Sequence, residues 1–72
     1  MKVVQAKPKL AKVLKEKGIT QTQLAELTGI NQASISRFDR NTQRKDDHLF
    51  TISHALGLKA EDLFELTIIE ED

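Results

Sequence analysis

Five side chains between residues 32 and 40 bring amide, methyl, hydroxyl and guanidinium groups together at helical spacing. They are Gln32, Ala33, Ser36, Arg37 and Arg40. At 100° per residue they share one side of a helix, opposite Ile35 and Phe38. Glutamine can pair with the edge of adenine, arginine with that of guanine, and alanine can touch a thymine methyl. The spacing therefore predicts a helix over 32–40 whose outer face reads bases in the major groove.

Basic residues near this face suit the DNA backbone better than the bases. We expect Arg40, Arg44 and Lys45 to bind phosphate groups. Gln21 lies at the predicted start of the preceding helix, where the positive end of the helix dipole favours an anion. Each residue also has a plainer interpretation, because surface arginines are often only solvated and Gln21 could simply belong to the helix start.

The sequence gives little support for catalysis or metal binding. His48 and His54 are six residues apart, which places them about 120° apart around one helix. Ser34 and Ser36 come with neither an oriented acid nor an oxyanion hole, so they do not form a catalytic triad. The absence of cysteine excludes disulfides and thiolate metal ligands. We predict no enzyme, no metal site and no cofactor.

The charges are unevenly distributed along the chain, although the net charge is zero. Residues 1–45 carry ten lysines and arginines against three acids, and residues 46–72 carry one lysine against eight acids. The chain therefore has one basic and one acidic pole. A polyanion responds more to the local electrostatic field of the basic pole than to the net charge of the whole chain. Differently charged solvated faces are the plainer interpretation of the same pattern.

Helical apolar spacing separates five predicted helices, so the predicted fold class is all-α. The first runs from Pro8 to Lys17, the second follows a capping box at Thr20 and Gln23, and the third begins after Asn31. The fourth extends from Asp46 to Gly57 and the fifth from Ala60 to Leu66. Asn41 is expected to leave the third helix in a left-handed conformation.

The second and third helices meet the steric demands of a helix-turn-helix over residues 21–40. Ala25 is small where two helix backbones approach, and Gly29 suits a turn with positive φ. The residues expected to point inward and hold the two helices together are Leu24, Ile30, Ile35 and Phe38. One domain over 1–72, with a core of about 8–66, accounts for the whole chain.

Two blocks of sequence carry a family resemblance. The first is Thr20-Gln21-x-x-Leu24-Ala25-x-x-x-Gly29-Ile30-x-x-x-x-Ile35-Ser36-Arg37-Phe38-Asp39. The second is Leu56-Gly57-Leu58 followed by Asp62-Leu63-Phe64. With these blocks, residues 9–66 resemble the Cro and lambda-repressor-like helix-turn-helix family, also called the xenobiotic-response-element family. Asp39 stands where the family usually has Glu, and Asn41 where it usually has Gly.

The resemblance implies a compact five-helix fold, a homodimer on a near-palindromic operator, and regulation of transcription. It implies DNA contacts by Gln21, Gln32, Ala33 and Arg37. It also implies that the loop from Asn41 to Lys45, which includes Thr42, lies on the DNA backbone. We therefore expect a transcriptional regulator of phage, plasmid or bacterial type, either a repressor or an activator with repression favoured, that works in the cytoplasm at the nucleoid.

The two ends of the chain leave alternatives open. Val3-Val4 and Thr67-Ile68-Ile69 are β-branched runs that could be strands or apolar arms, paired within one subunit or across two. The apolar and acidic C-terminal end could form the dimer contact or meet a regulatory protein partner. A protein-binding adaptor and a DNA-binding antitoxin are therefore the alternative functions. No apolar run reaches the roughly 20 residues of a membrane span.

Overall fold

The structure, a computed structural model, describes residues 1–70. Two strands lie at its ends, β1 over Lys2–Pro8 and β2 over Phe64–Glu70. Between them are four α-helices, α1 over Leu10–Lys17, α2 over Gln21–Thr28, α3 over Gln32–Arg37 and α4 over Asp46–Ala55. A 3-10 helix over Ala60–Leu63 leads directly into β2. Within these 70 residues, no helix is long and apolar enough to cross a membrane.

The ends of α2 and α3 follow the predicted capping chemistry. The Thr20 hydroxyl accepts the Gln23 N–H at 3.0 Å, and the Gln23 amide oxygen accepts the Thr20 N–H at 2.8 Å. The Asn31 side chain accepts the Ala33 N–H at 2.7 Å. Gly29 ends α2 at φ 74°, a conformation that costs a glycine little. Local sequence therefore determines where these two helices begin and where the chain turns between them.

The core lies among the helices. Its buried members are Leu10, Val13, Leu14, Leu24, Ile30, Ile35, Phe38, Ile52, Leu56 and Leu63. Ala25 is half-buried and packs against this cluster, as expected for a small side chain between two helices. The four residues predicted to lock the helix-turn-helix are all buried, so α2 and α3 share one core with α1 and α4.

The predicted five-helix, all-α fold is wrong, because the structure contains a two-stranded antiparallel sheet. The predicted fifth helix from Ala60 to Leu66 is a 3-10 helix that stops at Leu63. Phe64 is extended at φ −130° and ψ 150°, and it pairs with Pro8. Leu63, Phe64 and Leu66 fit a helical stripe, but β2 pairs with β1 from Phe64 to Glu70, and these ladder hydrogen bonds satisfy the backbone groups on its inner edge.

Pro8 does not open the first helix. It is the last residue of β1, and α1 begins two residues later at Leu10. The Lys9 N–H donates to the Leu63 carbonyl oxygen at 2.9 Å, which ties this corner to the end of the 3-10 helix. Proline suits the final position of an edge strand, because its missing N–H removes no ladder bond there.

The third helix is shorter than predicted, since it ends at Arg37 and leaves Arg40 in the following turn. The left-handed exit predicted at Asn41 is also wrong, because no non-glycine residue of the described chain has a positive φ. Instead the N–H groups of Arg40 and Asn41 both donate to the Arg37 carbonyl oxygen at 3.0 Å. These two bonds form the turn after α3, so the chain leaves the helix without a left-handed residue at Asn41.

The two ends of the chain pair with each other within one molecule, with Val3 opposite Ile69 and Val4 opposite Ile68. We call β1 and β2 together the ribbon. Alternation along a strand places Val4, Ala6, Leu66 and Ile68 on one side, which we call the ribbon face. Val4 is 59% exposed, Leu66 47% and Ile68 68%. The ribbon therefore holds apolar side chains that the helices do not cover.

Candidate nucleic-acid interface

The turn between α2 and α3 is held by more than its glycine. The Thr28 hydroxyl donates to the Leu24 carbonyl oxygen at 2.8 Å and accepts the Ile30 N–H at 3.2 Å. One hydroxyl thus satisfies backbone groups on both sides of Gly29, where helical bonds are interrupted. We did not predict this role, although a threonine just before a helix-ending glycine is a residue type that makes such local bonds.

The predicted reading face of α3 lies on the surface. Gln32, Ala33, Ser36 and Arg37 are exposed, while Ile35 is buried on the opposite side of the helix. The Arg37 Nε–H donates to the Ala33 carbonyl oxygen at 3.2 Å, so its side chain lies back along the helix. Buried Ile35 and Phe38 hold α3 against the core, which presents the four exposed side chains as one surface.

Ser34 and His48 are half-buried behind this surface. Both line a depression between α3, the loop after it and α4, which also includes Gln43 and Lys45. His54 is exposed elsewhere on α4. Within residues 1–70, no group of three or more histidine, cysteine or acidic side chains could hold a metal ion.

The predicted phosphate contacts lie before and after α3 in the sequence. Gln21 is the first residue of α2, where the first N–H groups of a helix lack intrahelical partners, and its side chain is half-buried. Beyond α3, Arg40, Asn41, Thr42 and Lys45 are all exposed. These side chains are free of the core and can move to meet a phosphate.

Arg44 differs from the other predicted phosphate contacts because its guanidinium group already has partners. It is half-buried, its Nε–H donates to the Phe38 carbonyl oxygen at 2.8 Å, and an Nη2–H donates to that of Asn41 at 2.5 Å. Its Cζ atom lies 4.7 Å from the centroid of the Phe38 ring and 5.4 Å from that of Phe64. The guanidinium group therefore contacts the end of α3, the loop and the first residue of β2.

Asp39 also has a structural partner that we did not predict. Its two carboxylate oxygens accept the N–H groups of Leu10 and Ala11, at 2.8 Å and 3.0 Å. The carboxylate is the N-terminal cap of α1, supplied from 28 residues further along the chain. The sequence carried no signal for this bond, because the first helix was predicted to begin at Pro8 and the two partners are 28 positions apart.

These helices and their exposed basic and amide face define a helix-turn-helix DNA-binding domain. Residues 9–67 match the family model of the Cro/C1-type HTH DNA-binding domain. The chain therefore belongs to the Cro/C1-type helix-turn-helix family, and DNA is its partner. No curated protein and no solved structure matches this chain.

Proposed function

We propose that this chain is a sequence-specific transcriptional repressor that reads the major groove with α3. The observation that carries the proposal is the exposed set Gln32, Ala33, Ser36 and Arg37 on a helix anchored by buried Ile35. Each of the four is neutral or basic, so none repels phosphate. Repression requires only that a bound protein occupy the promoter, and a domain of this size can do so.

The proposed contacts divide into base readers and backbone contacts. Arg37 pairs with guanine, Gln32 with adenine, and the Ala33 methyl meets thymine, with Ser36 close enough for a further hydrogen bond. Gln21 at the start of α2 and Arg40 after α3 bind phosphate. Exposed Asn41, Thr42 and Lys45 place the following loop along the DNA backbone.

We further propose that the repressor binds a near-palindromic operator as a homodimer, with half-sites about one helical turn, or ~34 Å, apart. The ribbon face supports this proposal, since Val4, Leu66 and Ile68 are exposed on a two-stranded sheet. Such a sheet is marginal on its own and has two open edges. A second copy would cover the apolar side chains.

The charges at the tip of the ribbon also suit a second copy. Lys2 pairs with Glu70 across the strands, on the same side as Val4 and Ile68. A copy turned by 180° about the strand direction sets β1 over the opposite β2, so that lysine meets glutamate at the rim. The face is small compared with the ~800 Å² per partner of a standard interface, so we expect weak association that DNA strengthens.

The same apolar face favours a second candidate, in which the ribbon binds a different protein and the chain acts as an antitoxin or an adaptor. An antitoxin would retain DNA binding through α3, whereas an adaptor would not need it. The acidic end considered for such a partner falls partly on residues 71 and 72, outside the described residues.

The test of DNA reading is selection from a random-sequence duplex library at two salt concentrations. The wild type should enrich a palindromic site and bind more weakly as salt rises. Arg37→Ala should weaken binding to that site by about 10- to 100-fold and relax one base position. Lys12→Ala, which alters an exposed lysine of α1, is the control and should keep the wild-type site.

Two outcomes would contradict the proposal. Selection without enrichment, together with salt-independent binding at micromolar protein, would favour the adaptor. Transcription in vitro from a promoter containing the selected site should fall when the protein is added, and a rise would make the protein an activator.

The dimer surface is tested by Ile68→Lys against Thr67→Lys. The neighbours lie on opposite sides of the ribbon and both are exposed, so each variant should fold. Sedimentation with full-site and half-site DNA should show that Ile68→Lys alone loses the second bound subunit. Equal behaviour of the two variants would show that the ribbon face is not the dimer contact.

A further inference from the structure

Arg44 joins three parts of the molecule that are separate in sequence. Through its two hydrogen bonds it contacts the carbonyl groups of Phe38, just after α3, and of Asn41 in the loop. Through its flat face it contacts the Phe38 ring and the Phe64 ring, whose centroids are 6.0 Å apart. The end of α3, the loop and the base of the ribbon therefore meet at one guanidinium group.

The chemistry of this site requires an arginine. The carbonyl groups at a helix C-terminus lack intrahelical partners, and a cation there also suits the negative end of the helix dipole. A guanidinium group can donate to two carbonyls in its own plane while its face lies on an aromatic ring. A lysine would bring the charge but neither the fork of donors nor the flat face.

Exposure separates Arg44 from the other arginines of the interface. Arg37 and Arg40 are exposed, whereas Arg44 is half-buried. Its neighbour Lys45 is exposed at the position just before α4, where its ammonium group is available to DNA. Arg44 is therefore occupied by contacts within the fold, whereas Lys45 beside it remains exposed.

We propose that Arg44 is a positioning residue for DNA binding, and that it does not itself bind phosphate. It holds residues 41–45 against Phe38 and Phe64, which places Lys45 and the loop backbone along the DNA backbone. The inference rests on the proposed DNA-reading function and replaces the phosphate contact that the sequence predicted for Arg44.

Arg44→Lys is the deciding variant because it keeps the positive charge. We expect it to weaken binding to the selected duplex by about tenfold or more, as much as Arg44→Gln does. Each phosphate contact contributes about 0.9 to the slope of log affinity against log salt, so that slope should fall by about this amount as Lys45 is displaced. Lys12→Arg, which also exchanges one cation for the other but at an exposed residue of α1 with no proposed DNA contact, is the control and should bind like the wild type.

A double-mutant cycle with Lys45→Gln separates positioning from loss of stability. Lys45→Gln should weaken binding in the wild type but cost nothing further in Arg44→Lys, because the displaced loop no longer presents the lysine. All variants are compared at a temperature where circular dichroism shows them fully folded. Wild-type affinity of Arg44→Lys, or additive effects of the two changes, would overturn the inference.

Amide hydrogen exchange without DNA tests the positioning role on its own. In Arg44→Lys, and in Arg44→Gln as a second variant, the amides of Arg40 and Asn41, which donate to the Arg37 carbonyl oxygen where the loop begins, should exchange at least several-fold faster, while those of α1 keep their wild-type rates. Unchanged exchange in the loop would overturn the inference. A wild type that binds no DNA would overturn the proposed function, and the exchange rates would still decide whether Arg44 holds the loop.

Discussion

The helical body from Leu10 to Leu63 and the ribbon differ in whether they bury apolar side chains. All ten buried apolar residues of the described chain lie in the body. Every described residue of the ribbon is exposed or half-buried, and Val4 and Ile68 face each other across its strands in the open. Burial in the body stabilises one fold, whereas the cross-strand pairs of the ribbon contribute little stability until another surface covers them.

The largest expected effect is the contrast between two identical substitutions, Ile52→Ala in the body and Ile68→Ala in the ribbon. Ile52 is 1% exposed and Ile68 is 68% exposed. Removing Ile52 leaves a cavity and should lower the free energy of unfolding by about 2–5 kcal/mol. Removing Ile68 should change it by no more than about 0.5 kcal/mol. Urea unfolding of dilute protein measures both values.

Equal losses of unfolding free energy at the two positions would contradict this contrast, because the ribbon would then be part of the cooperative core. Repeating the Ile68→Ala measurement at high protein concentration sharpens it. A loss that appears only there would belong to association, since the stability of a dimer depends on protein concentration.

The next effect concerns the cap that joins the end of the third helix to the start of the first. Asp39→Ala removes the acceptor for two N–H groups of α1 and should cost about 2 kcal/mol. Asp47→Ala, at an exposed acid in the first turn of α4, is the control and should cost less than about 1 kcal/mol. Thermal or urea unfolding gives both numbers, and similar losses would mean that the cap adds little beyond charge.

The smallest effect is the difference in local opening between the two regions. Amides of the ribbon should exchange about tenfold faster than those of α2 and α4, a difference of about 1.4 kcal/mol in opening free energy. Ladder hydrogen bonds in an open two-stranded sheet are poorly shielded, while the helices are packed on the core. Exchange measured by NMR on dilute protein would contradict this expectation if the two regions opened together.

The helix-turn-helix could be predicted because its signals are local. The capping box at Thr20, the cap at Asn31 and the turn at Gly29 each involve residues within a few positions of one another. Their side chains leave little choice of conformation. The exposed face of α3 then follows from helical geometry.

The ribbon, the Asp39 cap of α1 and the contacts of Arg44 could not be predicted from local sequence. Leu63, Phe64 and Leu66 fit a helical spacing, and only the presence of β1 decides for a strand. Asp39 and its partner Leu10 are 29 positions apart, so spacing carries no sign of their bond. Arg44 was predicted to bind phosphate from its charge, whereas the rings and carbonyls that surround it come from the tertiary fold.

The pairing of β1 with β2 also sets an order of events during synthesis. The strands are joined by the whole helical body, so β1 leaves the ribosome before the four helices and its partner β2 leaves after them. Chain closure over such a separation is slow compared with helix formation. The helix-turn-helix can therefore form on a growing chain before the ribbon exists, and the surface proposed for self-association forms after it.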